Sequence, residues 1–250
     1  MKQFTYDYYR YFLEKLLKKY KFISFNEGKI LYLHKELDDN QYSHLIMRHD
    51  IDMDLSVATA LAKVEMEYNI KATYFILLKC PIYNVFSKEN SEYIEQIIAY
   101  GHRLGLHFDA SVYTGISIDN IESLIDDECD IFMSFFKQPL ESISFHRPGP
   151  LELSNINLHK YPNTYENMFI DYFSYFSDSR SKWARGNPLN STEFHEGKNL
   201  HLCLHPVWWS DGVGTPFKRL TDVVDRINAR TDSYLKKNCI VWEEGKNAVE

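Results

Sequence analysis

From residue 47 to 54 the chain reads Met-Arg-His-Asp-Ile-Asp-Met-Asp, so three carboxylates, a histidine and an arginine follow directly on the apolar pair Leu45-Ile46. Ser43 to Met47 has strand character and Leu55 to Leu61 opens a helical pattern, which puts the cluster at a strand-to-helix junction. In an extended chain successive side chains alternate faces, so Asp50 and Asp52 point to one side and Ile51 and Met53 to the other. Two carboxylates that share a cavity repel, and a divalent cation between them is the economical remedy. Asp54 reads instead as a helix cap whose charge complements the dipole of the helix from 55 to 68.

Groups of the same kind stand at four more predicted strand ends. His107 lies at the end of the strand from Arg103 to Phe108 and Asp109 just beyond it, and His146 and Arg147 close the strand Ser142-Ile143-Ser144-Phe145-His146. Asp178 and Arg180 follow a weaker strand at Tyr172 to Ser177, and His205 ends Leu200-His201-Leu202-Cys203-Leu204. Parity in the last strand turns the three leucines toward helices and His201, Cys203 and His205 inward, and it turns Ser144 and His146 inward in the earlier one. Cys203 has the size of an ordinary small core residue, and His102, just ahead of its strand, suits a structural hydrogen bond. His34, His44, His159 and His195 fall in no pattern.

The elements that must position these groups alternate regularly. A tyrosine-rich helix over 5 to 20 and a short strand at Lys29 to Leu33 come first. Helix 55 to 68, strand 72 to 78, helix 91 to 100 and strand 103 to 108 follow the first motif, with Gly101 as the helix stop. A helix near 119 to 137 ends before Pro139, and Thr215-Pro216 starts a last helix near 217 to 236. The segment from 150 to 198 gives little signal. Alternation of this kind predicts an α/β chain with a parallel sheet, in which sites assemble at the C-terminal ends of the strands. Without a repeat, low-complexity tract or linker, residues 1–250 read as one domain.

Composition narrows the function classes. The 250 residues are 44% hydrophobic and 25% charged, with 10 glycines and 8 prolines, the profile of a globular chain with a sizeable core. A net charge of −7 argues against a broad nucleic-acid interface, which needs a basic footprint. No apolar run is long enough to span a bilayer, the N-terminus lacks signal-peptide features, and the four cysteines form no CxxC pair. These features predict a cytoplasmic protein with reduced thiols and no transmembrane segment; oligomeric state is left open.

The motifs, in their order, resemble the polysaccharide deacetylase family, the NodB-like carbohydrate de-N-acetylases, and in particular a divergent branch from surface-glycan biosynthesis. The likeness spans about residues 45–209. Asp50 and Asp52 resemble the family's aspartate pair, although the family usually has the two adjacent. Gly101-His102-Arg103-Leu104-Gly105-Leu106-His107 looks like its Gly-His-x-x-Gly-x-His stretch, Phe145-His146-Arg147-Pro148-Gly149 its Arg-Pro segment, Asp178 to Trp183 its aspartate before a tryptophan, and Leu202-Cys203-Leu204-His205 its Leu-x-Leu-His.

The resemblance implies a distorted (β/α)7 barrel with the active site at the C-terminal ends of the strands, and hydrolysis of an N-acetyl group with a divalent metal, Zn²⁺ by preference. It implies Asp50 as general base, Asp52 and His107 as metal ligands, Arg147 as orienter of the base, Asp178 as partner of the catalytic histidine and His205 as general acid. Where the family has a further histidine, this chain has Ser111, a poor ligand. His146 is the favoured replacement and Asp109 the alternative. The loops also carry Trp183, Trp208 and Trp209, whose flat faces suit a sugar ring. The expected activity is removal of an N-acetyl group from an amino sugar or glycan precursor, nucleotide-linked or lipid-linked, in cell-surface polysaccharide biosynthesis. Two alternatives stand beside it: a hydrolase of a non-sugar amide such as a cyclic ureide or imide, and a catalytically silent glycan-binding barrel.

Overall fold

The computed structural model describes residues 2–35, 43–147, 153, 156 and 158–242. Pro148 and Gly149 of the Arg-Pro segment lie outside them. The chain forms two compact units, residues 1–213 and 214–250. Among the described residues the first holds seven parallel strands: β1 (Tyr20–Ile23), β2 (Ser43–Ile51), β3 (Thr73–Ile76), β4 (Arg103–Asp109), β5 (Leu140–His146), β6 (Ser174–Ser177) and β7 (Leu200–Leu204). Its helices are α1 (Tyr6–Leu17), α2 (Phe25–Leu33), α3 (Leu55–Glu67), α4 (Lys88–Ala99), α5 (Ile118–Phe136), α6 (Asn167–Asp171) and α7 (Thr192–Glu196). The second unit holds α8 (Pro216–Asn238), capped by the Thr215 hydroxyl, which accepts from the Lys218 amide. Among the described residues no helix is long and apolar enough to cross a membrane.

Strand order is β5-β4-β3-β2-β7-β6, and β1 lies beside the beginning of β2. Each pairing is parallel, as the alternation of strand and helix requires. Among the described residues no hydrogen-bonded ladder joins β5 to β6, yet both ends of the order reach one cavity, Phe145 and His146 from β5 and Tyr175 from β6. The segment after β5 runs alongside it, with the Ile143 amide bonded to the Pro162 carbonyl at 2.9 Å and the Thr164 amide to the Ile143 carbonyl at 3.0 Å. Tyr165 on that segment and Tyr175 on β6 then approach one guanidinium, that of Arg48 on β2, at 5.2 and 5.9 Å from their ring centres.

The N-terminal region departs from expectation. Residues 29–33 are the end of α2 and not a strand, because Ser24 and Glu27 form a capping box in which each side chain bonds the other residue's amide. The strand of this region is β1, three residues after α1 stops, and it adds to β2 in register Phe22 with Leu45.

On the face of the sheet that carries the site, side chains stack in layers. Phe25, Ile46, Phe75 and Phe169 fill the layer near the strand starts, with Phe25 edge-on to Phe75 and Phe169 at 5.9 and 5.0 Å. The Phe75 ring lies flush on β4 at Gly105, where a Cβ would stand 2.4 Å from the ring and 2.9 Å from the Ser142 carbonyl oxygen. The second glycine of the Gly-His-x-x-Gly-x-His stretch is thus fixed by packing. Along β2, same-face residues climb from this apolar layer through Arg48 to Asp50 and then Asp52 at the rim.

Candidate metal and acid/base site

The upper end of β2 is held in place before any ligand is considered. Tyr83 donates its hydroxyl to the Ile51 carbonyl at 2.7 Å and accepts from the Leu77 amide at 3.1 Å, tying β2 to β3. Asp54 accepts from the Ser56 amide at 2.9 Å and starts α3, the capping role its position suggested. On the helix-facing side of β2, His49 bonds the buried Glu65 at 2.6 Å, and Tyr9 and Tyr74 donate to the same carboxylate. The strand that carries the aspartates is thereby anchored on both faces.

Asp52, His107 and His146 meet at the rim. Asp52 Oδ1 lies 3.2 Å from His107 Nε2 and 3.2 Å from His146 Nδ1, and the two ring nitrogens are themselves 3.2 Å apart. An ion with tetrahedral bonds of about 2.0–2.1 Å spaces its ligands about 3.3 Å apart, so this triangle has the dimensions of three sites on one zinc-like centre. The donors, two imidazoles and a carboxylate, also match what such an ion takes. Burial alone would raise the Asp52 carboxyl, but hydrogen bonds from His107 and His146 hold it far below the usual carboxylate range. Asp109 is not part of the triangle: its Oδ1 accepts from the Ser111 amide and hydroxyl at 2.9 and 2.6 Å and caps a short 3-10 turn. Of the two candidates for the third ligand, His146 is therefore the one beside Asp52 and His107.

Asp50 sits one layer below, and its cation is Arg48. Arg48 Nη2 lies 3.3 Å from Asp50 Oδ2, both side chains are buried, and the guanidinium also donates to Thr164 and, at 3.3 Å, to Tyr165. The Cys203 thiol donates to the same Oδ2 at 3.3 Å, while Asp50 Oδ1 has no partner among the described residues. Burial opposes ionisation of Asp50, yet Arg48, with His107 and His205, keeps its carboxyl below the ordinary value. The arginine placed against Asp50 is Arg48, whereas Arg147, to which resemblance gives the orienting role, is exposed at the rim with a φ of 48°. Arg48 shares strand parity with Asp50, two residues on, and that was the available signal.

His205 stands across the cavity. Its Nδ1 bonds Asp178 Oδ1 at 2.8 Å and its backbone amide bonds the same oxygen at 2.9 Å, which leaves Nε2 facing Asp52 Oδ2 at 4.0 Å. Burial disfavours the imidazolium, but the Asp178 hydrogen bond and the surrounding carboxylates outweigh it and lift the His205 pKa to about 9. A second group of possible ligands, Asp50, Cys203 and His205, is less suited to an ion. Burial pushes the Cys203 thiol up to about 12, and His205 is held protonated, so neither offers a lone pair near neutral pH.

The tryptophans divide. Trp208 lines the cavity, but Trp209 is 1% exposed and donates Nε1 to Asp178 Oδ2 at 2.8 Å, its ring lying 4.8 Å from Tyr9 and 5.3 Å from Phe4. It steadies Asp178 and cannot stack on a ligand. Trp183 packs on Phe12 and Phe4 at 5.9 and 6.3 Å, outside the cavity lining. The cavity holds about 530 Å³ and adds Tyr165, Tyr175 and Arg180 to its walls.

Asp178→Asn gives a pH signature. If the imidazolium of His205 is a proton donor, the reaction it serves persists below its pKa and is lost as pH rises through about 9. Without the Asp178 charge that pKa falls, and the alkaline limb of kcat/KM should move to lower pH by about one to two units.

No family model matches the chain, and no curated protein sequence matches it. Solved structures are similar at a distance. They include a CE4 family pseudoenzyme from Bacillus anthracis, at 10% identity over 74% of this chain and 60% of that one, with a TM-score of 0.42. The CE4 domain of a multidomain xylanase from the hindgut metagenome of Trinervitermes trinervoides follows at 12% identity, 74% and 83% coverage and a TM-score of 0.41. The chitin deacetylase of the fungal pathogen Colletotrichum lindemuthianum gives 13%, 73%, 81% and 0.40. The chain spans less than two thirds of the length of the Bacillus anthracis protein.

Proposed function

We propose that the protein is a cytoplasmic, metal-dependent hydrolase that removes an N-acetyl group from an amino sugar or glycan precursor during cell-surface polysaccharide biosynthesis. One observation carries the reading: a metal-sized triangle of Asp52, His107 and His146 lies in one cavity with Asp50, paired to Arg48, and His205, paired to Asp178. A carboxylate base and an imidazolium acid across one cavity are what amide hydrolysis needs.

Asp52, His107 and His146 would hold the ion, which when bound supplies a Lewis acid for the acyl oxygen and lowers the pKa of water. Asp50 Oδ1, without a hydrogen-bond partner among the described residues, takes a proton from the attacking water, whose oxygen bonds to the acyl carbon. Arg48 and the Cys203 thiol hold Oδ2 and keep the base aimed and ionised before each turnover. His205 Nε2 gives its proton to the sugar nitrogen as the C–N bond breaks, and acetate and the free amine leave. Asp178 on Nδ1 fixes the tautomer and stabilises the imidazolium. Trp208 remains the aromatic wall for the sugar.

The direct test is incubation with N-acetylglucosamine derivatives, reading acetate and free amine, and, separately, with hydantoin, reading the ring-opened N-carbamoyl acid. Acetate and amine in equal amounts from the sugars supports the reading. Turnover of hydantoin alone contradicts it.

A further inference from the structure

Arg147 and Arg180 line the cavity that holds Asp50, Asp52, His107 and His205. The acid/base steps use neither, because Asp50 has its cation in Arg48 and His205 its anion in Asp178. Both side chains are exposed, and no carboxylate among the described residues pairs with either. Both also hold φ in the left-handed region, 48° and 60°, where a side chain is strained. Strain of this kind persists where the surroundings fix it, and it collects at ligand sites.

A neutral N-acetyl sugar has no use for two unpaired guanidinium groups at the mouth of its site. An anionic substrate does. Each guanidinium offers a planar fork of donors suited to carboxylate or phosphate oxygens. A sugar carboxylate is satisfied by one such fork, whereas a phosphate or diphosphate presents oxygens on several sides and can engage two. The two arginines come from different loops, one directly after β5 and one just after β6, so they can grip a group from two directions.

We propose that Arg147 and Arg180 form a phosphate subsite, so that the substrate is an N-acetyl amino sugar still bearing a phosphate or diphosphate, and deacetylation occurs before the sugar is transferred from its carrier. This rests on the deacetylase reading. It assigns Arg147 a task the base does not need from it. A nucleotide and a lipid carrier share this phosphate chemistry.

Calorimetric titration of the metal-loaded protein with N-acetylglucosamine, its 1-phosphate, UDP-N-acetylglucosamine and a farnesyl-diphosphate-linked N-acetylglucosamine tests the subsite. The phosphorylated probes should bind about tenfold or more tightly than the neutral sugar, since hydrogen bonds between charged groups are strong, and added salt should narrow the gap. R147Q and R180Q should each remove most of that preference, and the double variant all of it, while R147K and R180K keep part. The stronger of the nucleotide and farnesyl probes identifies the carrier.

Equal affinity for the sugar and its 1-phosphate, or full preference in the double variant, overturns the subsite. Equal kcat/KM for acetate release from neutral and phosphorylated sugars does so while leaving the deacetylase reading standing. Preference through the two arginines with no acetate from any probe keeps the subsite and removes that reading.

Discussion

Asp50→Asn is expected to lower acetate release about 10²–10⁴-fold, the range that general acid–base groups contribute. The substitution keeps the side chain's shape and removes its ability to accept a proton. Asp50 is buried, its Oδ2 is occupied by Arg48 and Cys203, and its Oδ1 has no partner among the described residues, so no neighbouring acceptor there replaces it. The loss should fall on kcat, with metal content preserved, because the triangle of Asp52, His107 and His146 does not include Asp50. Thermal denaturation belongs beside the kinetics, since Arg48 then lacks its counter-charge.

Arg48→Met should act on stability and on pH dependence together. Breaking a buried ion pair by removing one partner costs about 3–5 kcal/mol, because the remaining charge stays in a dry site. Arg48 is 1% exposed and also serves Thr164 and Tyr165, so its loss uncouples β2 from the segment after β5. The sign of the pH effect follows from the depressed Asp50 pKa. Activity requires the carboxylate and is lost as pH falls through that pKa; without Arg48 the pKa rises, so the acid limb of kcat/KM moves to higher pH. Arg147→Gln does not move that limb, which separates the arginine found at the base from the one expected there.

Much of this arrangement can be traced to strand parity. Asp50, Asp52, His107, His146 and His205 all stand at or just beyond strand ends on the inward face, and a period of two places them there without knowledge of the loops. The same rule points to Arg48, two residues before Asp50, but resemblance drew the role to Arg147 instead. Trp208 and Trp209 are neighbours in sequence, and one lines the cavity while the other is driven into the aromatic cluster of α1. A pair of adjacent aromatics gives no hint of which goes where.

Apart from the strand at Tyr172 to Ser177, which is β6, the segment from 150 to 198 gives little signal for a different reason. Its order comes from side-chain bonds to the backbone, such as Asn163 Nδ2 to the carbonyls of Leu153 and Ile156 at 2.8 and 3.0 Å, and these leave no periodicity. Tyr165 and Tyr175 therefore entered the site unannounced. Residues 29–33 of α2 resemble a strand because the last four, Ile30 to Leu33, are apolar or aromatic, although Ser24-x-x-Glu27 ahead of them is a helix start.

Metal content read together with acetate release tests the account at its centre. Protein stripped with chelator and reloaded with Zn²⁺ should bind one ion per chain and release acetate from an N-acetyl amino sugar, with and without its phosphate, only when loaded. Asp52→Asn, His107→Ala and His146→Ala should each lose the ion and the acetate together. Full zinc occupancy in His146→Ala, or undiminished acetate release from the stripped protein, would contradict it.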